Sequence, residues 1–250
     1  GAGADAPSRQ ERADGLKEAC AAAGLSITSY TIGADFLTAA GGWEAEVERV
    51  KGEVDIAARL GASCMRHDAT KGFPEGHTGP TDFAAALKTL APACRAVAEH
   101  GAQRGVRTTV ENHGHFVQAS ERCEALVKAV DHPNFGALID VGNFLCVDEA
   151  PLPAVGRMAP YAANVHAKDF HTKPGDGPDP GRGWMKSAGG NYLRGAIVGH
   201  GNVDLPGCVA ALKAEGYDGP VSIEFEGMED NLLALEIGLE NLRRYVGELG

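Results

Sequence analysis

The chain has 250 residues, 44% of them hydrophobic, and a formal net charge of −11 at pH 7. This length and composition suffice for one sizeable core, and we expect a single domain over residues 1–250. A nucleic-acid partner is disfavoured because a phosphate-binding face needs clustered Lys and Arg, and the basic residues here are scattered. No apolar run is long enough to span a membrane, and the N-terminal segment lacks the apolar core of a signal peptide.

The six cysteines indicate a reducing compartment. None lies in a CxxC pair, and each has an apolar or helical sequence context. They are therefore interpreted as buried free thiols rather than as a zinc knuckle or a disulfide framework. Together with the acidic composition, this pattern favours a cytoplasmic protein.

Stretches of helical periodicity alternate with short apolar or alternating stretches, separated by Gly- and Pro-containing connections. In chain order, the sequence predicts helix Ser8–Ala23, strand Leu25–Ile32, helix Trp43–Leu60, strand Ala62–His67, a helix from Thr81 to Gly105, a strand within Arg107–His115, a helix from Ser120 to His132, strand Phe135–Val141, helix Asp148–Met158, strand Tyr161–Lys168, a long loop Asp169–Asn202, helix Asp204–Glu215, strand Val221–Phe225 and helix Glu229–Glu248. A kink or a break is expected at Pro92.

Such an alternation indicates an α/β protein with a parallel sheet and helices outside it, and this many units indicate a (β/α)8 TIM barrel. Seven strands can be counted, the weakest at Tyr192–Val198 within the long loop. The chain opens on a helix, so the first strand of a barrel has no segment here. Either the natural protein begins before the given chain or the barrel is incomplete. We expect the former, because an unpaired parallel edge would be a liability.

Four predicted strands end in residues that can bind a metal ion, namely Glu111, Asp140, His166 and Glu224. In a parallel barrel all C-terminal strand ends lie at one rim, where such enzymes carry their active sites. One histidine with three carboxylates is a hard, oxygen-rich set that suits one Mn²⁺ or Mg²⁺, with Co²⁺ or Zn²⁺ as replacements. The alternative, solvated loop carboxylates, explains any one of these residues but explains all four poorly.

The segments VENHG, ALIDVGN, NVHAKDF and YDGPVSIEFEG occur in this order. As an ordered set, from about Gly61 to the C-terminus, they resemble the sugar isomerase/epimerase superfamily with the xylose-isomerase-like TIM barrel. The resemblance implies that Glu111, Asp140, His166 and Glu224 hold one divalent cation. In the related ketose 3-epimerases, the residues at the positions of Glu111 and Glu224 are also the catalytic acid/base pair.

That role has a physical rationale. A cation that bridges a carbonyl and the neighbouring hydroxyl of a keto sugar acidifies the C–H bond between them and stabilises the enediolate. A carboxylate on each face can then remove a proton from one side and return it on the other. We therefore expect a metal-dependent isomerase or epimerase that acts on a keto sugar or a related polyol.

Two positions depart from the epimerase pattern. Asn143 stands where those epimerases carry a histidine, and an amide cannot titrate near neutrality. The run from His166 to Asp169 looks more like that of inosose dehydratase-like members. Within it, Lys168 is a candidate catalytic residue that protonates a leaving hydroxyl or steadies an enolate, and a lysine paired with a nearby carboxylate is the alternative. A metal-dependent lyase or dehydratase is therefore the second interpretation.

Further residues are candidates for supporting roles. Asn143, His113 and His67 are candidates for binding substrate hydroxyls, although a strand-end histidine is as often structural. Glu226 shares a face with the last candidate ligand and is a candidate for supporting it. Aromatic residues of the long loop, such as Trp184, either cap a sugar ring or pack against another subunit, which leaves a homo-oligomer open.

Two other classes fit less well. An AP endonuclease of the same superfamily would need several metal ions, more His and Asp ligands and a basic DNA-binding face, and the net charge argues against that face. A non-catalytic binding protein on the same fold is disfavoured because four ligand residues are intact.

Overall fold

The computed structural model describes residues 8–248. It consists of two compact units. One contains the chain through Val110 together with Leu126–Gly136, and the other contains Glu111–Ala125 and the chain from Ala137 onward. In both units parallel strands alternate with helices, which confirms the predicted α/β class. The expectation of one domain over residues 1–250 stays a prediction.

The first unit is built around three parallel strands. In chain order its main elements are α1 (Arg9–Ala22), β1 (Ser29–Ile32), α2 (Gly42–Leu60), β2 (Cys64–His67), α3 (Phe83–Arg104) and β3 (Arg107–Glu111). β1 pairs with β2, and β2 pairs with β3. The last residue of β3, Glu111, belongs to the second unit.

Helix α1 begins with a capping box and is joined to α2 through a buried carboxylate. At the start of α1, Ser8 and Glu11 each accept a hydrogen bond from the backbone N–H of the other residue. Glu53 of α2 is buried, pairs with Arg9 and accepts a hydrogen bond from the Tyr30 hydroxyl at 3.0 Å. These partners satisfy a charge that would be costly to bury alone.

Helix α3 runs unbroken through Pro92, so the break that was one of the two expectations there is wrong, and the kink stays a prediction. Its N-cap is Asp82 rather than Thr81, and the Asp82 carboxylate accepts a hydrogen bond from the backbone N–H of Ala85 at 2.8 Å. One face of the helix is buried along its length, through Ala86, Leu90, Ala93, Cys94, Val97, Ala98 and Gly101. This packing stabilises the helix despite the backbone hydrogen bond that proline removes.

The remaining elements lie mainly in the second unit. They are α4 (Ser120–Val130), β4 (Phe135–Asp140), α5 (Pro151–Met158), β5 (Ala162–Ala167), β6 (Asp169–Lys173), β7 (Met185–Lys186), β8 (Tyr192–Ala196), α6 (Leu205–Ala214), β9 (Val221–Ile223) and α7 (Asn231–Glu248). β5 pairs in parallel with β4 on one side and with β9 on the other. A 3-10 helix, Asn143–Val147, follows β4.

Residues 169–202 depart most from the predicted fold. Instead of a long loop, they contain the antiparallel sheet β6-β8-β7. β8 coincides with the weak strand predicted at Tyr192–Val198, but it pairs with β6 and does not extend a parallel sheet. Phe170 and Leu193 of this sheet pack with Cys146 in a buried cluster, which joins the sheet to the 3-10 helix.

Asp169 fixes one end of the antiparallel sheet. Its buried carboxylate accepts hydrogen bonds from the backbone N–H groups of Phe170, Gly199, Gly201 and Val203, at 2.7–3.0 Å. A Cβ at Gly201 would overlap this carboxylate, so only glycine fits there. Burial raises the pKa of Asp169, and the four hydrogen bonds oppose that rise.

The sequence of α7 carries an apolar stripe at helical spacing, through Leu232, Leu235, Leu239, Leu242 and Val246, which predicts a core-facing side. Most of this stripe is exposed. Of its five residues only Leu242 is buried, and the exposed ones are Leu232 (79%), Leu235 (40%), Leu239 (40%) and Val246 (50%). The helix instead packs through small and polar residues, namely Ala234, Gly238 and Asn241 together with Leu242. Asn241 Nδ2 donates a hydrogen bond to the backbone oxygen of Val198 at 2.9 Å. The predicted core face of α7 is therefore wrong except at Leu242.

Two composition-based expectations can be compared with the structure. All six cysteines are free and five of them are buried, as predicted. Burial raises the pKa of the Cys94 and Cys123 thiols above the usual range, which makes them poor nucleophiles. Within residues 8–248, no helix combines the length and the apolar character that crossing a membrane requires.

Candidate metal centre

The four predicted ligands lie together in the second unit. Each of Glu111, Asp140, His166 and Glu224 offers one ligand atom, and these four atoms lie within 4.8 Å of one another. Glu111 and Asp140 end β3 and β4, His166 lies in β5, and Glu224 directly follows β9. Asp140 and His166 are partners in the β4–β5 register. The parallel pairing of strands therefore places these side chains at the same edge of the sheet.

Asp140 is completely buried, and its two carboxylate oxygens have different surroundings. Oδ1 accepts hydrogen bonds from the backbone N–H groups of Gly142 and Asn143, both at 2.9 Å. Oδ2 has no hydrogen-bond partner among the described residues and lies 3.5 Å from Lys168 Nζ. Burial raises the pKa of Asp140, and Lys168 offsets only part of this rise. Because a buried, unsatisfied carboxylate oxygen is costly, this donor set fits a divalent cation.

His166 and Glu224 form a direct pair. His166 Nδ1 lies 3.0 Å from Glu224 Oε2 and 4.0 Å from Glu111 Oε1. Burial alone would lower the pKa of His166, but the hydrogen bond to Glu224 and the surrounding carboxylates raise it. The same hydrogen bond holds the pKa of Glu224 well below its usual range. A histidine binds a metal ion in its neutral form, so the raised pKa of His166 makes cation binding here compete with protonation of the ring.

Lys168 is a buried cation among carboxylates. Its side chain is 3% exposed, and Nζ lies 3.2 Å from Glu224 Oε2 and 3.3 Å from Glu226 Oε2. Burial alone would lower the pKa of Lys168, but Asp140, Glu224 and Glu226 raise it above the ordinary value. The lysine therefore faces the cluster, in the paired state that the sequence left as an alternative. Its catalytic role stays a prediction.

Asn143 links Glu111 to Lys168. Its Nδ2 donates to Glu111 Oε1 at 3.0 Å, and its Oδ1 accepts from Lys168 Nζ at 3.2 Å. Its backbone oxygen accepts a hydrogen bond from Gln118 Nε2 at 2.6 Å. Both ends of the amide are therefore used within the cluster, and Asn143 orients two candidate catalytic residues. Its predicted contact with substrate stays a prediction.

Asn112 is a supporting residue that the sequence analysis missed. Its Nδ2 donates to the backbone oxygen of Asp140, and its Oδ1 accepts from the backbone N–H of Asp140, both at 2.8 Å. The side chain is 3% exposed. This pair of bonds holds the end of β4, and with it Asp140, next to the end of β3, where Glu111 lies. The one available signal was the position of this amide directly after a strand-end glutamate.

A cavity of about 150 Å³ adjoins the cluster. It is lined by His113, Gly114, His115, Gln118, Asn143, Cys146, Lys168, Phe170, Met185 and Glu226. Two of the predicted substrate-binding residues, His113 and Asn143, are therefore at this cavity. His115, which was not predicted, has a φ of 65°, a conformation that is uncommon for residues other than glycine.

The third predicted substrate-binding residue, His67, belongs to the first unit and is completely buried. Its ring meets the edge of the Phe36 ring at 5.7 Å, and Nδ1 lies 2.8 Å from the backbone oxygen of Asp68. Burial lowers the pKa of His67 to about 4. These contacts fix the ring, whereas its Nε2 is buried and has no hydrogen-bond partner among the described residues. A role of His67 in substrate binding stays a prediction.

Sequence comparison identifies one family and one curated relative. The family model described as xylose isomerase-like TIM barrel matches residues 2–245. The uncharacterized protein YihM of Escherichia coli (strain K12) is 26% identical over 179 residues, which cover 72% of this chain and 48% of YihM. The chain thus matches about half the length of that relative.

Solved structures share the fold. A xylose isomerase-like TIM barrel protein from Mycobacterium smegmatis, in complex with magnesium, has a TM-score of 0.72 at 20% identity, covering 96% of this chain and 79% of that one. The 3-keto-D-glucoside 4-epimerase YcjR from E. coli has a TM-score of 0.71 at 16% identity, covering 94% and 86%. The probable 3-DHS dehydratase AsbF from Bacillus anthracis has a TM-score of 0.70 at 17% identity, covering 93% and 82%.

The family match covers nearly the whole chain, and the structural matches agree with it in fold. They confirm the TIM-barrel fold that the alternating elements predicted, and they include both an epimerase and a dehydratase. The chain belongs to the xylose isomerase-like TIM barrel family.

Proposed function

We propose that this protein is a divalent-metal-dependent isomerase or epimerase that acts on a keto sugar or a related polyol. The observation that carries the proposal is the convergence of four ligand atoms within 4.8 Å, two of them from Glu111 and Glu224. Three carboxylates with one histidine suit Mn²⁺ or Mg²⁺, and Co²⁺ or Zn²⁺ could replace them. The magnesium in the M. smegmatis structure supports a hard cation.

The cation would supply Lewis acidity, which acidifies the C–H bond next to the substrate carbonyl. Glu111 and Glu224 would move the proton. One carboxylate takes it from carbon, and the C–H electron pair shifts toward the carbonyl oxygen to give the enediolate form of the substrate. Return of a proton to the opposite face of the same carbon gives the epimer. Return to the neighbouring carbon, with transfer of the hydroxyl proton to the former carbonyl oxygen, gives the isomer. Asn143 holds Glu111 in place for this step.

Deuterium incorporation tests the proposal directly. Keto sugars and keto-inositols are incubated with Mn²⁺-loaded protein in D₂O and analysed by mass spectrometry and NMR. The expected product carries deuterium at carbon with its skeleton intact. Glu224→Gln should slow this exchange by about 10²–10⁴-fold, because it removes a ligand and a proton carrier together.

Glu121→Gln, which changes an exposed carboxylate in the first turn of α4, is the matched control and should exchange like the wild type. Full exchange by Glu224→Gln, or no exchange with any member of the panel, would contradict the proposal.

A lyase on the same scaffold is the second candidate, and Lys168 is the observation that favours it. Its charged Nζ lies at the cavity, where it could protonate a leaving hydroxyl. In a lyase, Lys168→Met should lower elimination by about 10²–10⁴-fold, because the leaving group loses its acid. In an isomerase or epimerase no group leaves, so most of the deuterium exchange should remain. Loss of water from the substrate in the D₂O experiment would establish the lyase.

A further inference from the structure

Glu226 is a carboxylate that faces the cavity without belonging to the four-residue cluster. Its side chain is 54% exposed, and its Oε2 lies 3.3 Å from Lys168 Nζ. The backbone of Glu226 is closely backed by β8, since a Cβ at Gly195 would overlap the Glu226 carbonyl group. Glu226 is therefore held at the cavity while solvent still reaches its carboxylate.

The cavity offers little fixed positive charge to an anionic substrate. Lys168 is the only Lys or Arg side chain among the described residues that line it. Its Nζ already lies within 3.5 Å of the carboxylates of Asp140, Glu224 and Glu226. A divalent cation and Lys168 together carry three positive charges against the four carboxylates of these residues and Glu111. The site thus stays net negative when a metal ion is bound, and the whole chain, at −11, adds to this potential.

The other polar side chains of the cavity suit hydroxyl groups. They are the amides of Gln118 and Asn143 and the imidazoles of His113 and His115. The carboxylate of Glu226 can accept hydrogen bonds from hydroxyls, whereas a phosphate or carboxylate would offer it no donor and would bring a like charge. A volume of about 150 Å³ is too small for a chain of sugars.

We propose that Glu226 is a specificity-determining residue, which admits uncharged polyhydroxylated substrates and rejects their phosphorylated or carboxylated analogues. The inference rests on the proposed function for the chemistry of the site, and it adds the charge class of the substrate. We expect the effect on substrate affinity. The Glu226 carboxylate repels an anionic group at the cavity, and the positive charge of Lys168 is already paired with carboxylates.

The test measures binding separately from turnover. Affinities of Mg²⁺-loaded protein for D-fructose, D-tagatose, D-sorbose and D-psicose, and for the 6-phosphate of each, are measured by saturation-transfer NMR. The wild type should bind at least one neutral ketose ten times more tightly than its phosphate. Glu226→Gln should narrow that ratio about tenfold, and Glu226→Lys should invert it. Glu229→Gln, which changes a carboxylate near Arg194 and not at the cavity, should keep the wild-type ratio.

The outcomes separate this inference from the proposed function. Equal or tighter binding of the phosphates by the wild type, or an unchanged ratio in Glu226→Gln, would overturn the role of Glu226, even where deuterium exchange supports the isomerase. A neutral preference that depends on Glu226, without any deuterium exchange, would support the inference and overturn the isomerase. Absence of binding in both series would contradict both.

Discussion

At the scale of single residues, hydrogen bonds from amide side chains hold the candidate ligands in place. Asn112 forms two hydrogen bonds with the backbone of Asp140, and Asn143 forms one with Glu111 and one with Lys168. Backbone N–H groups occupy one oxygen of Asp140 and leave the other for a cation. Preorganisation of this kind fixes the position of the ligands before any metal ion arrives.

Removal of the Asn112 side chain should weaken metal binding. Asn112→Ala frees the end of β4, and loss of such supporting bonds typically costs 10–100-fold in metal affinity. Titration of the apoprotein with Mn²⁺, followed by calorimetry, measures this change. Asn134→Ala is the matched control, because the Asn134 side chain also makes two hydrogen bonds to the backbone, donating to the oxygens of Ala98 and Val106 in the other unit. It should lose stability and keep its Mn²⁺ affinity, and an Asn112→Ala affinity within twofold of wild type would contradict the prediction.

The buried His67 should make the protein less stable in acid. Its folded pKa of about 4 lies below the ordinary 6.5, so between these values the unfolded chain binds a proton that the folded chain does not. Stability is therefore unaffected by this group above pH 6.5 and falls as the pH drops toward 4, by about 3 kcal/mol in total.

Urea unfolding of the wild type and of His67→Gln at pH 7 and pH 5 measures this effect. The variant should show a smaller loss of unfolding free energy between the two pH values. His77→Gln, which changes an exposed histidine of the same unit, should follow the wild type. A variant as acid-sensitive as the wild type would count against His67 as the titrating group.

The candidate ligands could be predicted from sequence, whereas their supports could not. Four residues lie at or next to the C-terminal end of a short strand, and the rule that parallel strands share an active end brings them together. They are Glu111, Asp140, His166 and Glu224. Asn112 acts on a backbone group 28 residues away, and no periodicity reports such a bond. The burial of His67 was equally invisible, because a strand-end histidine looks alike whether it faces a cavity or a core.

At the scale of elements, the antiparallel sheet is the feature that patterns did not reveal. β7 has two residues, and the glycines and prolines around it are typical of a loop. The sheet is held by contacts that are distant in sequence. Asp148, whose φ is 58°, accepts hydrogen bonds from Ser187 Oγ at 2.6 Å and from Asn191 Nδ2 at 2.7 Å.

In α7 the sequence pattern was regular but misleading. Its apolar residues recur at helical spacing and predict a buried face, yet most of them, such as Leu235, are exposed.

Loss of the Asp148 carboxylate should loosen the turn at residues 187–191. Asp148→Gly removes the acceptor and tolerates the positive φ, so the backbone is not strained by the change. Hydrogen exchange followed by mass spectrometry should show at least tenfold faster exchange of amides in residues 185–193. Asp131→Gly changes another aspartate with a positive φ and should leave that segment protected. Unchanged protection in Asp148→Gly would show that the buried cluster around Phe170 is sufficient.

At the scale of the whole molecule, a bound cation should stabilise the fold. The cluster gathers three carboxylates, and a ligand that binds only the folded chain at 100 times its Kd adds about 2.7 kcal/mol. For a chain of this size that gain corresponds to a rise in Tm of about 5–10 °C. Differential scanning calorimetry with Mn²⁺ and after chelation measures it. Asp140→Asn should show no such shift, and an equal shift in that variant would place the stabilising ion elsewhere.

The fold class itself was the part best predicted from sequence. Alternation of strands and helices is repeated many times along the chain, so errors at single boundaries, such as the cap of α3 at Asp82, do not change the result. The packed face of a helix and the pairing of a short strand each depend on a few contacts between residues that are far apart in the chain. Local sequence patterns therefore predict them poorly.

The double attachment of Asn143 bears on how this family diversifies. A single amide joins the residue proposed to carry protons, Glu111, to the residue that would distinguish elimination from isomerisation, Lys168. Exchange of Asn143 for the histidine of the ketose 3-epimerases would therefore disturb both partners at once. Because the three side chains share hydrogen bonds, we expect substitutions at these positions to have non-additive effects, so that a path between the two chemistries would change them together.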